Sequence, residues 1–393
     1  MKLFPALEKK YSKETQSALA AQRLAHEISQ APIVFQVSRL MVKFGILQLL
    51  LDSQKGLTID EVAEKTTLSR YAVQCLLESS LTTGTVLLEN ERFTCSKAGW
   101  FLLNDPLVKV NLDFNHDVNY LGLFNLEEAL LNGKPEGLKV FGKWATIYEG
   151  LSSLPKQVQD SWFGFDHYYS DQSFQEALQI VFDQKPKTLL DVGGNTGRWA
   201  LRCVDYNPEV KVTIMDLPQQ LVLMKEQTAK EKGADRIFGH GVNLLDKKAP
   251  FPTGFDAIWM SQFLDCFSEE EVTSILARAA ASMNKDSLLY IMETFWDRQR
   301  FETAAYALTQ ISLYFTALAN GNSKMYHSED MIRCVENAGL MMERIHDGIG
   351  KGHSIVVCKL RSLPPLPQQL KVRHFRFQIT FIAFPITMTI RIL

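Results

Sequence analysis

The spacing of apolar positions changes near residue 187. Before it, they recur at helical intervals. Ser17–Leu51 has a helical period, with Pro32 starting a new segment, and VSRLMVKFGILQLLL is apolar on most of its faces. Such a helix must be buried, either in a core or against a partner chain. In the next stretch Thr58 and Glu61 form a capping box for a short helix, and Ser69 is the N-cap of a second. VLLE and RFTC then alternate around Asn90 as a small hairpin does. Helix, helix, hairpin is a winged-helix pattern. Residues 107–182 keep a helical period and are rich in rings: Phe114, His116, Tyr120, Phe124, Trp144 and the run WFGFDHYY at 162–169. Most of these rings should be core, and WFGFDHYY reads as a wall for an apolar ligand.

From Lys187 short apolar runs alternate with amphipathic segments. TLLDVGG, KVTIMD, RIFGHGVNLL, FDAIWMS and SLLYIME are the strand-like runs. GRWALRCVDYN and EEVTSILARAAASM lie between them. Continuous apolar strands separated by helices predict a parallel sheet covered on both faces, an α/β Rossmann-like architecture. GLMMERIHDGIGKGHSIVVCKL holds two strand-like runs around GIGKG, so the sheet should finish in an antiparallel hairpin. The expected layout is a winged-helix-like dimerisation domain over 1–106 and a helical connector with pocket residues over 107–182. An α/β domain follows over 183–360, then a tail over 361–393.

Composition narrows the classes. The 393 residues are 46% hydrophobic and 22% charged, enough for full cores. The net charge of −2 gives no general attraction to nucleic acid or acidic membrane. The second of the winged-helix segments, Ser69–Thr83, carries only Arg70, offset by Glu78, which speaks against DNA binding. Six scattered cysteines form no C-x-x-C pair, so no metal ribbon or disulfide framework is expected. MKLFPALEKK lacks an apolar run long enough for a signal peptide, and no stretch reaches the ~18 apolar residues of a membrane span. The nearest, Phe377–Ile390, is broken by Pro385. A reducing cytoplasm, no membrane and no nucleic acid are the expectations.

The first strand of the α/β half runs into LLDVGGNTGRW. Gly193, Gly194 and Gly197 permit close backbone approach, and a helix starting near Thr196 would point free N–H groups at a ligand. The dinucleotide fingerprint is broken by Asn195 and Arg198, and there is no phosphate-loop G-K-[ST]. The loop therefore suits a nucleoside without a pyrophosphate. Asp216 ends the next strand, where a carboxylate can accept both ribose hydroxyls.

These motifs resemble class I S-adenosylmethionine-dependent methyltransferases of the caffeic-acid and hydroxyindole O-methyltransferase type. The resemblance covers roughly residues 30–360. DVGGNTG is similar to that family's D-V-G-G-G-T-G, which implies cofactor roles for Asp191, Gly193, Gly194 and Gly197. Asn195 replaces a glycine there and tolerates a left-handed backbone. MDLPQ resembles F-D-L-P, implying that Asp216 and Leu217 hold the ribose. GVNLL stands for G-D-M-F, implying that Asn243 and Leu244 frame the adenine. Ser261 and Gln262 fall beside the cofactor. The helical module implies a homodimer.

The catalytic signature W-I-x-H-D-W-S-D aligns without a gap to Q-F-L-D-C-F-S-E. It places Asp265 on the general-base histidine, Cys266 on the next aspartate and Phe267 on the tryptophan. Glu293 stands on a retained glutamate, and Tyr326 replaces a second. Ser268 and Glu271 already make a capping box, so Asp265 is not needed as a cap.

The expected function is methylation of a small hydroxylated aromatic molecule, with Asp265 and Glu293 catalytic and no metal. A free carboxyl near ~3.9 is a poor base for a phenol near ~10, but burial beside Glu293 would raise it. Two alternatives stay open for the proton. The acceptor can arrive ionised, or His327 or His167 can serve. A protein of this fold that binds ligand without turnover is the competing class.

Overall fold

The computed structural model describes residues 8, 9 and 11–361. The membrane-span and tail readings for 362–393 lie outside the described residues.

The N-terminal module opens with helix α1 (Ala18–Lys43), capped by the Ser17 hydroxyl. It runs through Pro32, which therefore does not start a new segment. The break comes later, at Gly45 with φ +71°, and α2 (Ile46–Asp52) leaves at 61°. The apolar run thus forms two helices. Met41, Ile46, Leu47 and Leu50 are at most 1% exposed in a core of this chain itself. Upstream, α1 leaves Leu19, Ile28 and Ile33 more than half exposed. No single described helix is long and apolar enough to cross a membrane, and the bent pair α1–α2 passes only by length and composition.

Helix α3 (Ile59–Lys65) has the Thr58/Glu61 capping box, and α4 (Arg70–Thr83) is capped by Ser69. Strands β1 (Val86–Glu89) and β2 (Arg92–Cys95) pair antiparallel across Asn90 and Glu91, both with positive φ. The Arg70 guanidinium is engaged by Asp60 at 2.7 Å, so α4 presents no free base from it.

A helical layer leads to α5 (Lys156–Ser170) and α6 (Phe174–Phe182). The α/β part then follows: β3 (Thr188–Val192), α7 (Arg198–Tyr206), β4 (Lys211–Asp216), α8 (Pro218–Thr228), β5 (Ile237–Gly241), β6 (Ala257–Ser261), α9 (Glu269–Ser282), β7 (Leu288–Glu293), α10 (Ser328–Asn337), β8 (Leu340–Ile349) and β9 (His353–Leu360). The strand order is β5-β4-β3-β6-β7-β9-β8. Pairing is parallel from β5 to β7 and antiparallel in the β7–β9–β8 end, the hairpin the sequence predicts.

Alternation along the strands builds two cores. Leu190, Val192, Ile258, Met260, Leu289 and Ile291 face α9 and α10. Leu189, Ala257, Trp259, Tyr290 and Met292 face α6 and α7. The first strand of the sheet, β3, lies between β4 and β6, so the order in which strands are added reverses there. Open α/β sheets bind ligands beyond the strand ends at that point.

Candidate active site

A cavity of about 560 Å³ opens beyond the ends of β3, β4 and β6. Asp191, Gly193, Gly194, Asp216, Leu217, Asn243, Leu244, Ser261 and Gln262 all line it, whereas Gly197 does not. Gly197 instead has φ +85° at the start of α7, which begins two residues later than Thr196. Its added Cβ would press to 2.8 Å from Thr228. Gly197 serves the loop's packing rather than its ligand face. Asn195 adopts φ +49°, the left-handed conformation its amide tolerates.

The glycine loop is tied to the next strand. The Asp216 carboxylate accepts the Asn195 N–H at 2.9 Å and the Leu217 N–H at 2.7 Å. Burial raises the Asp216 carboxyl, and these two N–H groups pull it back. Gly193 has φ +73°, and a Cβ there would sit 2.3 Å from the Phe263 ring. Asp191 is 2% exposed, and its Oδ2 has no hydrogen-bond partner. Burial, then the neighbouring Asp216, pushes its carboxyl up to about 8.

A smaller recess of about 70 Å³ adjoins this cavity. Tyr148, Trp162, Asp166, Gln262 and Cys266 belong to the walls of both. Asp265 faces the recess and does not line the larger cavity. It sits in a short 3-10 turn, Leu264–Cys266, and is 7% exposed. Burial drives its carboxyl up to about 7, with Asp166 adding to the rise. Asp166, also raised to about 6 by burial, is the acid inside WFGFDHYY that sequence reasoning passed over among the rings.

Glu293 lines neither cavity. Its Oε1 accepts the N–H groups of Phe263 at 3.0 Å and Leu264 at 2.8 Å, and its Oε2 is buried without a partner. Burial, then Asp265, holds its carboxyl well above the usual range. Glu293 therefore fixes the turn that carries Asp265. Two more residues hold that turn from outside. Tyr326 donates its hydroxyl to the Phe267 carbonyl at 2.5 Å, and the Asn320 amide donates to the Cys266 carbonyl. His327 is 4% exposed beneath α10, where its Nδ1 accepts the Glu329 N–H at 3.1 Å. It lines neither cavity, which removes it as an alternative base. His167 does line the larger cavity.

Of the predicted wall WFGFDHYY, only part reaches the recess, and the rings expected as core divide. Phe114, Trp162, Phe165 and Tyr169 line the recess. Tyr120 instead faces α1, donating to the Pro32 carbonyl at 2.9 Å, and Phe124 is 94% exposed. Tyr314 and Phe315 complete the wall, with the Trp162 indole N–H donating to the Tyr314 hydroxyl at 2.7 Å.

Residues 125–340, more than half the chain, match the O-methyltransferase domain family. The chain belongs to that family. Residues 22–93 match the Dimerisation2-like domain. Among curated relatives of this O-methyltransferase is the L-tyrosine C(3)-methyltransferase of Streptomyces lavendulae, 24% identical. That match covers 70% of this chain and 75% of that one. The acetylserotonin O-methyltransferase of Gallus gallus is 23% identical over 70% of this chain and 83% of its own. The fold matches a mitomycin 7-O-methyltransferase with TM-score 0.64 and 20% identity, covering 87% of this chain and 98% of that one. It also matches an O-methyltransferase from neocarzinostatin biosynthesis solved with S-adenosylmethionine and 2-hydroxy-5-methyl naphthoic acid. There the TM-score is 0.61 at 17% identity, over 83% of this chain and 96% of that one. The protein is thus an S-adenosylmethionine-dependent methyltransferase, and a ligand-binding protein without turnover finds no support in these matches.

The cavity fits that cofactor. An orphaned buried carboxylate at Asp191 suits a cationic group, and Asp216 at a strand tip suits vicinal hydroxyls. The Gly193 cradle leaves no room for a side chain. Among the described residues no three His, Cys, Asp or Glu groups converge as a metal site.

Proposed function

We propose that the chain methylates a hydroxyl of a small aromatic molecule, with Asp265 accepting the hydroxyl proton. The observation that carries this reading is the position of Asp265. It is a nearly buried carboxylate, facing a ring-lined recess that shares a wall with the cofactor cavity. The bound cofactor supplies an electrophilic methyl on a sulfonium whose leaving group is neutral. The chain's own work is alignment, water exclusion and removal of one proton.

Asp191, Gly193, Gly194, Asp216, Leu217, Asn243, Leu244, Ser261 and Gln262 form the cofactor's walls in this reading, with Asp191 taking its charged end and Asp216 its ribose. A carboxyl near 7 is ionised for half its molecules at neutral pH, which makes it a usable base where an ordinary aspartate is not. Glu293 acts as a positioning residue for Asp265. The rings of Phe114, Trp162, Phe165 and Tyr314 hold the acceptor's flat face.

Residues 1–106 serve as the dimerisation domain, 107–182 carry the pocket helices and 183–360 bind the cofactor. The Dimerisation2-like match and the exposed Leu19, Ile28 and Ile33 of α1 support a homodimer. The six cysteines are free thiols, which suits a reducing compartment, and the reading places the enzyme in the cytoplasm without nucleic-acid or membrane partners.

Isothermal titration with S-adenosylmethionine and S-adenosylhomocysteine tests the cofactor half. Micromolar affinity is expected, and no binding at millimolar cofactor overturns the reading.

A further inference from the structure

The recess holds more negative charge than proton removal needs. Asp265 and Asp166 both line it, and no Lys, Arg or His does. Arg198 lies near Asp166 on the larger cavity's side, but its guanidinium is paired with Asp171. Asp265 is 7% exposed, and the only side-chain hydrogen bond to it among the described residues is a long thiol contact from Cys266 at 3.5 Å.

One further oxygen points the same way. The Gln262 Oε1 is buried without a hydrogen-bond partner, and Gln262 belongs to the recess wall. An amide oxygen can only accept a hydrogen bond. Gln262 is also held at φ +46°, an uncommon conformation for a residue with a side chain, at the end of β6. A buried acceptor left unmatched is costly, so it marks a place for a donor. Around it stand the rings of Phe114, Trp162, Phe165, Tyr169 and Tyr314. Carboxyl groups, a spare acceptor oxygen and aromatic faces together are the chemistry that recognises a protonated amine.

We propose that the methyl acceptor, seated across the seam between the larger cavity and this recess, carries a protonated amine held against the ring wall by Asp166, which lines both. The inference rests on the methyltransferase reading and adds the acceptor's charge to it. It also gives the two acids separate tasks. An ammonium beside Asp166 neutralises that carboxylate, and Asp265 is then free to ionise and take the hydroxyl proton. Without the cation, two neighbouring carboxylates in an apolar recess oppose each other's ionisation. Burial holds both carboxyls above the usual range in the free protein, in keeping with a site waiting for a positive charge.

The test uses the full chain loaded with S-adenosylhomocysteine and titrates three phenols of similar shape: tyramine, 4-propylphenol and 3-(4-hydroxyphenyl)propionate. The expected result is tyramine tighter than 4-propylphenol by about tenfold or more, with the propionate weakest. In Asp166→Asn, S-adenosylhomocysteine binding reports an intact fold, and the preference for tyramine over 4-propylphenol should fall to within about threefold. Equal binding of the three probes, preference for the anion, or no binding by any at millimolar concentration overturns the amine assignment. A protein that fails to bind S-adenosylhomocysteine at all overturns instead the methyltransferase reading on which it rests. If Asp166→Asn does not fold, the wild-type ranking alone decides.

Discussion

Glu293 accepts the Leu264 N–H at 2.8 Å, and this bond fixes the turn on which Asp265 stands. A glutamine can make the same bond through its amide oxygen, and alanine cannot. Glu293→Gln should therefore keep kcat within about tenfold, while Glu293→Ala loses about 1–3 kcal/mol of stability and most of kcat. Denaturant unfolding and steady-state rates check this. Equal loss in both variants would mean that the charge of Glu293, not its geometry, is what matters.

Asp191 is buried with a carboxyl at about 8, against about 4 in an unfolded chain. Between those values the folded form holds a proton that the unfolded form has lost. Stability from this group therefore falls as pH rises from about 4 to about 8. Asp191→Asn should raise Tm by roughly 5 °C at pH 8 with little gain at pH 4, and weaken S-adenosylhomocysteine by about tenfold or more. Thermal melts across pH with cofactor titration measure both. A variant that is less stable at pH 8 contradicts the sign.

His353 is fully buried on β9 beside the Tyr169 ring, both its ring nitrogens lack partners, and burial lowers it to about 4. The folded form refuses a proton that the unfolded form takes up below about 6.5. Its contribution is complete above that pH and is lost as pH falls toward 4, about 2–3 kcal/mol by pH 4.5. His353→Phe should flatten the acid limb of the stability curve. An unchanged limb between pH 6.5 and 4.5 would assign acid sensitivity elsewhere.

Gly193 combines φ +73° with a Cβ position 2.3 Å from the Phe263 ring. Gly193→Ala should cost about 1–3 kcal/mol and abolish micromolar cofactor binding, because Phe263 must shift into the cavity. Wild-type affinity in this variant would show that the loop relaxes freely.

Much of the fold was legible because its signals are local. The capping boxes Thr58/Glu61 and Ser268/Glu271, the Asn90 hairpin and the run of apolar strands each depend on neighbours in the chain. Pro32 does not end its helix, since a helix whose first half lies exposed can accommodate it. The walls of the larger cavity lie at strand ends, which the glycine loop and Asp216 mark directly. The recess did not. Asp166 shares the recess with Asp265 across 99 positions of sequence, and its own run is dominated by rings. The catalytic expectation for Glu293 came from the resemblance alone, as the family's retained glutamate. Its Oε1 binds the turn's N–H groups, a contact no periodicity reports.

The account stands or falls on Asp265 as the proton acceptor. Single-turnover transfer of a labelled methyl from S-adenosylmethionine to the best-bound phenol, followed from pH 5.5 to 8.5, tests it most directly. With the carboxyl at about 7, the wild-type rate should rise as pH passes through ~7 and then level. Asp265→Asn should lose about 10²–10⁴ in rate with cofactor affinity unchanged. A wild-type rate in Asp265→Asn, at any pH in that range, would contradict it.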